Sequence, residues 1–349
     1  LRYGIPRYRL PAEFLDEDIN VILSTGIEAH TNVEIGKDIE FAEIQERFDA
    51  IYIAIGAHSY KKLRIPGEDA KNVMSAVELL GSMGDEEPMD MKDKNVVVVG
   101  GGNVAMDASR TALRLGAKSV KVVYRRRQSD MTALPMEILG AVSEGVELVT
   151  LKAPVEILTD DAGAARAVKV KPQIPGAYRG GRPAPVDASL PEEEIPADVV
   201  IVAVGQAIEF GHFQEAGISA SKAGTLQADT SGAVAGANGI YAGGDCASGP
   251  ATVIKAIEAG KTAAANIDEY LGFNSQIPSQ VDIPLAFSKL REASGRCNMT
   301  DRPAAERVKD FDLIEYCMTD EQAHQECSRC LRCDHYGYGS FRGGRKTAW

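Results

Sequence analysis

The run N-V-V-V-V-G-G-G-N-V-A at residues 95–105 constrains the fold more than any other stretch of this chain. Four consecutive β-branched valines read as a strand buried on both faces. A glycine turn follows at once, and a helical pattern continues to about residue 115, with Gly116 placed as a C-cap. Residues 119–124 form the next predicted strand. Strand, turn, helix and strand make one βαβ unit. The turn has the pattern G-x-G-x-x-A. Gly100 permits the tight bend, Gly102 lets the backbone approach a pyrophosphate, and Ala105 allows close helix–strand packing. Asn103 and Val104 open the helix, whose free amides face the phosphates. Glycine patterns alone are weak signals; a preceding strand and a following helix are the context that gives this one meaning.

The end of the next strand narrows the ligand. An NAD site carries a carboxylate there for the ribose hydroxyls, about twenty residues past the glycines. This chain has Arg125, Arg126 and Arg127 instead. A guanidinium forks onto a 2′-phosphate that a carboxylate would repel, so the pattern predicts NADPH rather than NADH. Three solvated arginines at a strand end are the plainer alternative.

A second region echoes the first. D-A-I-Y-I-A-I-G at residues 49–56 and D-V-V-I-V-A-V-G at 198–205 repeat one pattern, which implies two similar α/β domains. Another short strand ends in Gly243-Gly-Asp245, followed by Gly249-Pro-Ala-Thr252 and a helix over 251–271. A carboxylate so placed can bind a ribityl hydroxyl, and the helix start can aim amides at a flavin ring as it gains charge. The pattern further predicts helices over 11–24, 73–83 and 133–143, strands over 146–159 and 167–170, and a loop over 173–194.

Composition excludes some classes. A net charge of −12 argues against nucleic acid as a partner, and no apolar run approaches a membrane span. The first residue is Leu1, so the chain reads as a fragment or processed product. Its histidines (30, 58, 212, 324 and 335) are scattered without metal spacing among themselves. Cys246 stands apart, and a small buried thiol is ordinarily packing. Cys297, Cys317, Cys327, Cys330 and Cys333 crowd the last fifth, which suits a metal site in a reducing, cytoplasmic compartment. Cys327-x-x-Cys330-x-x-Cys333 resembles the start of a ferredoxin-type [4Fe-4S] motif, with Cys317 or Cys297 as a fourth ligand. His335 could instead complete a Cys₃His zinc site, or the run could bind nothing.

Taken together, the pieces resemble the β subunit of NADPH-dependent glutamate synthase and its flavoprotein relatives. The matching residues are Y-G-I-P (3–6), A-I-G-A (54–57), I-P-G-E (65–68), G-G-G-N-V-A-M-D (100–107), V-Y-R-R (123–126), A-V-G-Q (203–206) and A-G-G-D-C (242–246). The resemblance covers about residues 1–272 and rests on the combination rather than on any one piece. It implies two Rossmann-like dinucleotide-binding domains, one inserted in the other. Residues 1–66 and 211–273 would belong to an FAD-binding domain, 67–210 to an NADPH-binding domain and 274–349 to a cysteine-rich tail. It implies that Gly205 and Gln206 lie beside the nicotinamide. It places Tyr3, Ile5, Pro6, Gly56, Gly244, Asp245, Ala251, Thr252 and Val253 around FAD. In the family an N-terminal flavin-binding segment and a small iron–sulfur domain come first, so the chain reads as lacking both. The implied activity is electron flow from NADPH through FAD to iron–sulfur centres and a large partner subunit or ferredoxin-like acceptor. A nucleotide-binding or cluster-bearing scaffold subunit and a stand-alone NADPH oxidase are the alternatives.

Overall fold

The structure, a computed structural model, describes residues 1–84, 88–214, 216–275 and 294–330. It divides into two compact units. The first comprises Leu1–Glu28, Tyr60–Gly205 and Met299–Cys317; the second comprises Ala29–Ser59, Gln206–Asn298 and Met318–Trp349.

The first unit is built on a five-stranded, all-parallel sheet. Val73–Ser75 lies at one edge, followed by Val199–Val202, Asn95–Val99, Ser119–Tyr124 and Glu147–Thr150. The valine run occupies the centre, and its alternation explains why all four valines are apolar. Val96 and Val98 pack with Leu79, Met106 and Ala112 on the helical side. Val97 and Val99 pack with Ile157, Val168, Val170 and Ile195 of an antiparallel sheet on the other side. Helices Ala76–Gly84, Asn103–Arg114 and Pro135–Ser143 cover the first face. Strands Glu193–Pro196, Ala165–Arg179 and Lys152–Thr159 form the second layer, and Arg182–Asp187 pairs with Ala165–Arg179 as a long hairpin. The I-P-G-E motif docks this layer: Ile157 N–H donates to the Pro66 carbonyl at 2.9 Å. A side chain at Gly67 would sit 2.0 Å from the Ile157 oxygen, so only glycine fits.

Three local expectations change. Residues 146–159 are not one strand: Leu151 takes a left-handed conformation (φ 57°), so Glu147–Thr150 joins the parallel sheet and Lys152–Thr159 the antiparallel one. Residues 73–83 divide into the strand Val73–Ser75 and the helix that follows. The loop expected over 173–194 is largely the hairpin. Its prolines pair across edge positions, Pro175 opposite Pro185, where a missing amide costs little.

The second unit carries a two-stranded parallel sheet with Ile51–Ile53 in register with Ile240–Ala242. Its core joins Phe41, Ile53, Phe213, Leu226, Ile240 and Cys246. Helix Val253–Tyr270 follows, with Thr252 at its N-cap position. The echo seen in the sequence is an echo of structure. Val199–Val202 and Ile51–Ile53 are both parallel strands, each followed shortly by a positive-φ glycine, Gly205 (132°) and Gly56 (67°). Among the described residues no helix is long and apolar enough to cross a membrane.

Candidate functional site

The glycine turn is held by contact as well as by conformation. A Cβ on Gly100 (φ 155°) would lie 2.3 Å from the Ala203 carbonyl oxygen. One on Gly101 would lie 2.5 Å from the Tyr124 ring, a requirement that the G-x-G-x-x-A pattern does not name. Gly102 is different: its Cβ would approach only Thr132 Oγ1, at 3.5 Å, so this glycine leaves room rather than filling it. Gly102 is the N-cap of helix Asn103–Arg114, and Ala105 is fully buried against the sheet. Val104 packs partly against the same core. Asn103 turns its side chain sideways and accepts the Leu134 amide at 2.9 Å. The Thr132 and Ala133 amides donate to Gly101 O, which ties the turn to the loop ahead of helix Pro135–Ser143.

The three arginines at the end of Ser119–Tyr124 have different situations. Arg127 is bound by Asp130 through two hydrogen bonds, 2.8 and 3.0 Å. These bonds hold the Asp130 carboxyl below its ordinary range. Arg126 donates its Nε to the Pro183 carbonyl at 2.9 Å. Arg125 is exposed and makes no ion pair among the described residues. A guanidinium beside a spacious, amide-rich turn fits a phosphorylated ribose, and a neutralised one does not. Of the three, Arg125 and Arg126 keep nitrogens for a ligand.

The other expected site residues divide between the units. Tyr3, Ile5 and Pro6 lie in the first unit and line a cavity of about 320 Å³ with Leu80, Met83 and Thr111. Gly205 is in the first unit, where its carbonyl accepts the Lys61 amide at 3.0 Å. Gln206 begins the next stretch of the second unit, and its side chain donates to the Ala57 carbonyl at 2.9 Å. Gly56, Gly244, Asp245, Ala251, Thr252 and Val253 are all in the second unit. Gly244 (φ 68°) caps the short helix Asp245–Ser248, and Asp245 Oδ1 accepts the Ala251 amide at 3.1 Å. That bond closes the 245–251 loop on itself. Cys246 is fully buried, donates to the Ile53 and Gly243 carbonyls, and has its thiol pKa pushed up by burial; it is a core residue.

In the tail, Thr319 and Gln322 form a capping box on helix Asp320–Arg329. Cys327 and Cys330 are exposed at its C-terminal end, while Cys317 closes the last segment of the first unit. Cys333 and His335 fall outside the described residues. No group of three or more metal-binding side chains is present among the described ones.

The profile of the family described as "Pyridine nucleotide-disulphide oxidoreductase" matches residues 12–260. The chain belongs to that family. Within it, the chain is 33% identical over 351 residues to the NADP(+)-dependent formate dehydrogenase subunit beta of Moorella thermoacetica, covering 97% of this chain and 50% of that one. It is 33% identical over 284 residues to the glutamate synthase [NADPH] small chain of Halomonas elongata, covering 78% and 60%. It is 30% identical to the NADPH-Fe(3+) oxidoreductase subunit beta of Geobacter sulfurreducens, covering 95% and 55%. The resemblance to glutamate synthase small chains is thereby met. The chain spans about half the length of the curated relatives it matches. In fold it superposes on Mycobacterium tuberculosis FprA, solved in complex with NADPH, with TM-score 0.64 and 20% identity over 79% of this chain and 77% of that one. Thioredoxin reductase of T. acidophilum gives 0.51 at 21% identity, covering 64% and 65%.

Asp107, two residues past the G-x-G-x-x-A, is buried and accepts two bonds from Arg9, at 2.8 and 2.9 Å. Burial pushes its pKa up to about 6, against the pull of Arg9. Behind it, Glu144 receives Arg110, Arg114 and Arg307, each with a contact of 2.7 Å. Tyr8 is fully buried, and the guanidiniums of Arg110 and Arg114 stand 4.9 and 4.1 Å from its ring centroid. Charged residues on the buried side of a core helix, Asp107 and Arg110 among alanines, are the sequence signal that could have revealed this cluster.

Proposed function

We propose that this chain is the NADPH-binding part, with a portion of the flavin-binding part, of a cytoplasmic flavoprotein oxidoreductase. Electrons would pass from NADPH through FAD to an iron–sulfur centre and on to a partner subunit or ferredoxin-like acceptor. The reading rests above all on one arrangement: the open glycine turn at residues 100–105 with Arg125 exposed, and without an ion pair among the described residues, at the end of the adjacent strand. Gly100, Gly102, Asn103, Val104 and Ala105 would present the pyrophosphate-binding backbone, and Arg125 and Arg126 would bind the 2′-phosphate. Gly205 and Gln206 would lie at the nicotinamide. Gly56, Gly244, Asp245, Ala251, Thr252 and Val253 would hold FAD, with Tyr3, Ile5 and Pro6 near its ring. The positive-φ cap at Gly244 and the uncommitted N-terminus of an 18-residue helix suit that ligand. FAD, when bound, supplies a hydride acceptor that releases electrons singly. The side chains need only position and polarise.

The relatives' names support a shared input function with different partners, since a formate dehydrogenase subunit, a glutamate synthase chain and an Fe(3+) oxidoreductase subunit all carry an NADP or NADPH label. A [4Fe-4S] cluster on Cys327, Cys330 and Cys333, with Cys317 as fourth ligand, is part of this proposal; nucleic acid and membrane partners are not. Replacing Cys330 with serine is expected to remove iron and labile sulfide together, and unchanged metal content would eliminate the cluster.

The primary test is an anaerobic visible spectrum before and after adding NADPH. A flavin absorbance that bleaches with NADPH and not with NADH is the expected result. A colourless protein that still binds NADPH would reduce the chain to a nucleotide-binding subunit.

A further inference from the structure

The long hairpin of the first unit ends beside the arginine cluster, and nothing in the glycine-turn motif accounts for it. Its tip is Arg179-Gly-Gly-Arg182, with Arg179 paired directly opposite Arg182. Both central glycines have positive φ, 57° and 78°, the signature of a type I′ turn that sets the hairpin's register. The hairpin is fastened to the segment after Ser119–Tyr124 at two points. The Pro183 carbonyl accepts Arg126 Nε at 2.9 Å. Arg182 Nη1 donates to the Asp130 carbonyl at 3.4 Å.

These fastenings have an electrostatic consequence. Arg125, Arg126, Arg179 and Arg182 all lie on the two joined segments, and none of them makes an ion pair among the described residues. The carboxylate in their midst, Asp130, is already bound by Arg127. A cluster of uncompensated guanidiniums is unfavourable by itself, because like charges repel. It becomes favourable when a multivalent anion enters. The Pro183 bond also removes one freedom from Arg126. With Nε committed, the planar fork is fixed and both Nη groups remain for an anion, so less rotamer entropy is lost on binding.

We infer that the hairpin tip is the second jaw of the 2′-phosphate site. Arg182 would contact the phosphate directly, and the Pro183 carbonyl would act as the group that positions Arg126. The inference rests on the NADPH reading above and adds to it a specificity element some 55 residues beyond the usual strand-end position.

The test is equilibrium binding, independent of turnover. NADPH and NADH are titrated by nicotinamide fluorescence, and 2′,5′-ADP is measured by displacement of NADPH. Arg182→Ala is expected to weaken NADPH and 2′,5′-ADP by about tenfold, the effect of one charge-assisted bond, and to leave NADH unchanged. Arg182→Lys, which keeps the charge and loses the fork, should recover part of the loss and shows that the hairpin still folds. An unchanged NADPH-to-NADH ratio in Arg182→Ala, with NADPH preferred by the native chain, would overturn the hairpin's role alone. A native chain without preference for NADPH would overturn the nucleotide reading and the hairpin's role with it.

Discussion

Replacing Glu144 with alanine is expected to destabilise the first unit by about 3–5 kcal/mol, because it leaves the buried Arg114 guanidinium without a counter-charge and Arg110 and Arg307 with one carboxylate each. For a unit of this size the loss corresponds to a fall in Tm on the order of 10 °C, read by circular dichroism. Three observations carry the expectation. Glu144 and the Arg114 side chain are fully buried, and Arg110 and Arg307 nearly so. All three arginines point to one carboxylate. Burial alone would raise the Glu144 pKa, yet the hydrogen bonds from Arg110 and Arg114 prevail and hold it at about 2, below its ordinary 4.5. A depressed carboxyl contributes stability that is complete above its unfolded value and is lost as pH falls toward its folded one. The native chain should therefore lose this contribution between about pH 4.5 and pH 2, and the Glu144→Gln chain should lack that part of the acid transition. A shift of Tm within experimental error, with an unaltered acid limb, would mean that the cluster contributes nothing net.

The second large effect concerns selectivity. Arg125→Ala combined with Arg126→Ala is expected to raise the dissociation constant for NADPH by about 100-fold, two charge-assisted contacts, while that for NADH changes by less than about threefold. Nicotinamide fluorescence measures both. Equal losses for the two nucleotides would show that the arginines support the turn rather than read the phosphate. The contrast between Arg125 and Arg127 sharpens the expectation. Arg127 is held by Asp130, so Arg127→Ala should disturb the local turn more than the choice of nucleotide.

Much of this arrangement could be read from the chain. The valine run, the glycine turn and the arginines all fall within residues 95–127, and local rules connect them. Short-range spacing also sufficed for the parallel strands that end in Gly56 and Gly205. Two features were harder to see. The hairpin reads as a loop in the sequence because its prolines and glycines are loop residues in most settings; Gly180-Gly181 between pairing residues is the hairpin signal it does carry. The Glu144 cluster was harder still. Arg307 lies 163 residues from its partner, and no local pattern reports a contact at that distance. Leu151 was missed for a different reason: a leucine with φ of 57° contradicts its own propensity, and tertiary pairing on both sides imposes it.

The Glu144 cluster also bears on the order in which the protein can be completed during synthesis. The first unit draws on Tyr8 and Arg9, on the helices that carry Arg110 and Glu144, and on Arg307. Ribosomes deliver these pieces in sequence, at roughly 5–20 residues per second. The parallel sheet can assemble once Val199–Val202 has emerged, but Glu144 keeps one guanidinium short until residue 307 arrives. Such distant closures carry a high entropic cost and slow folding. A nascent chain can therefore form its sheet while this last clasp is still missing.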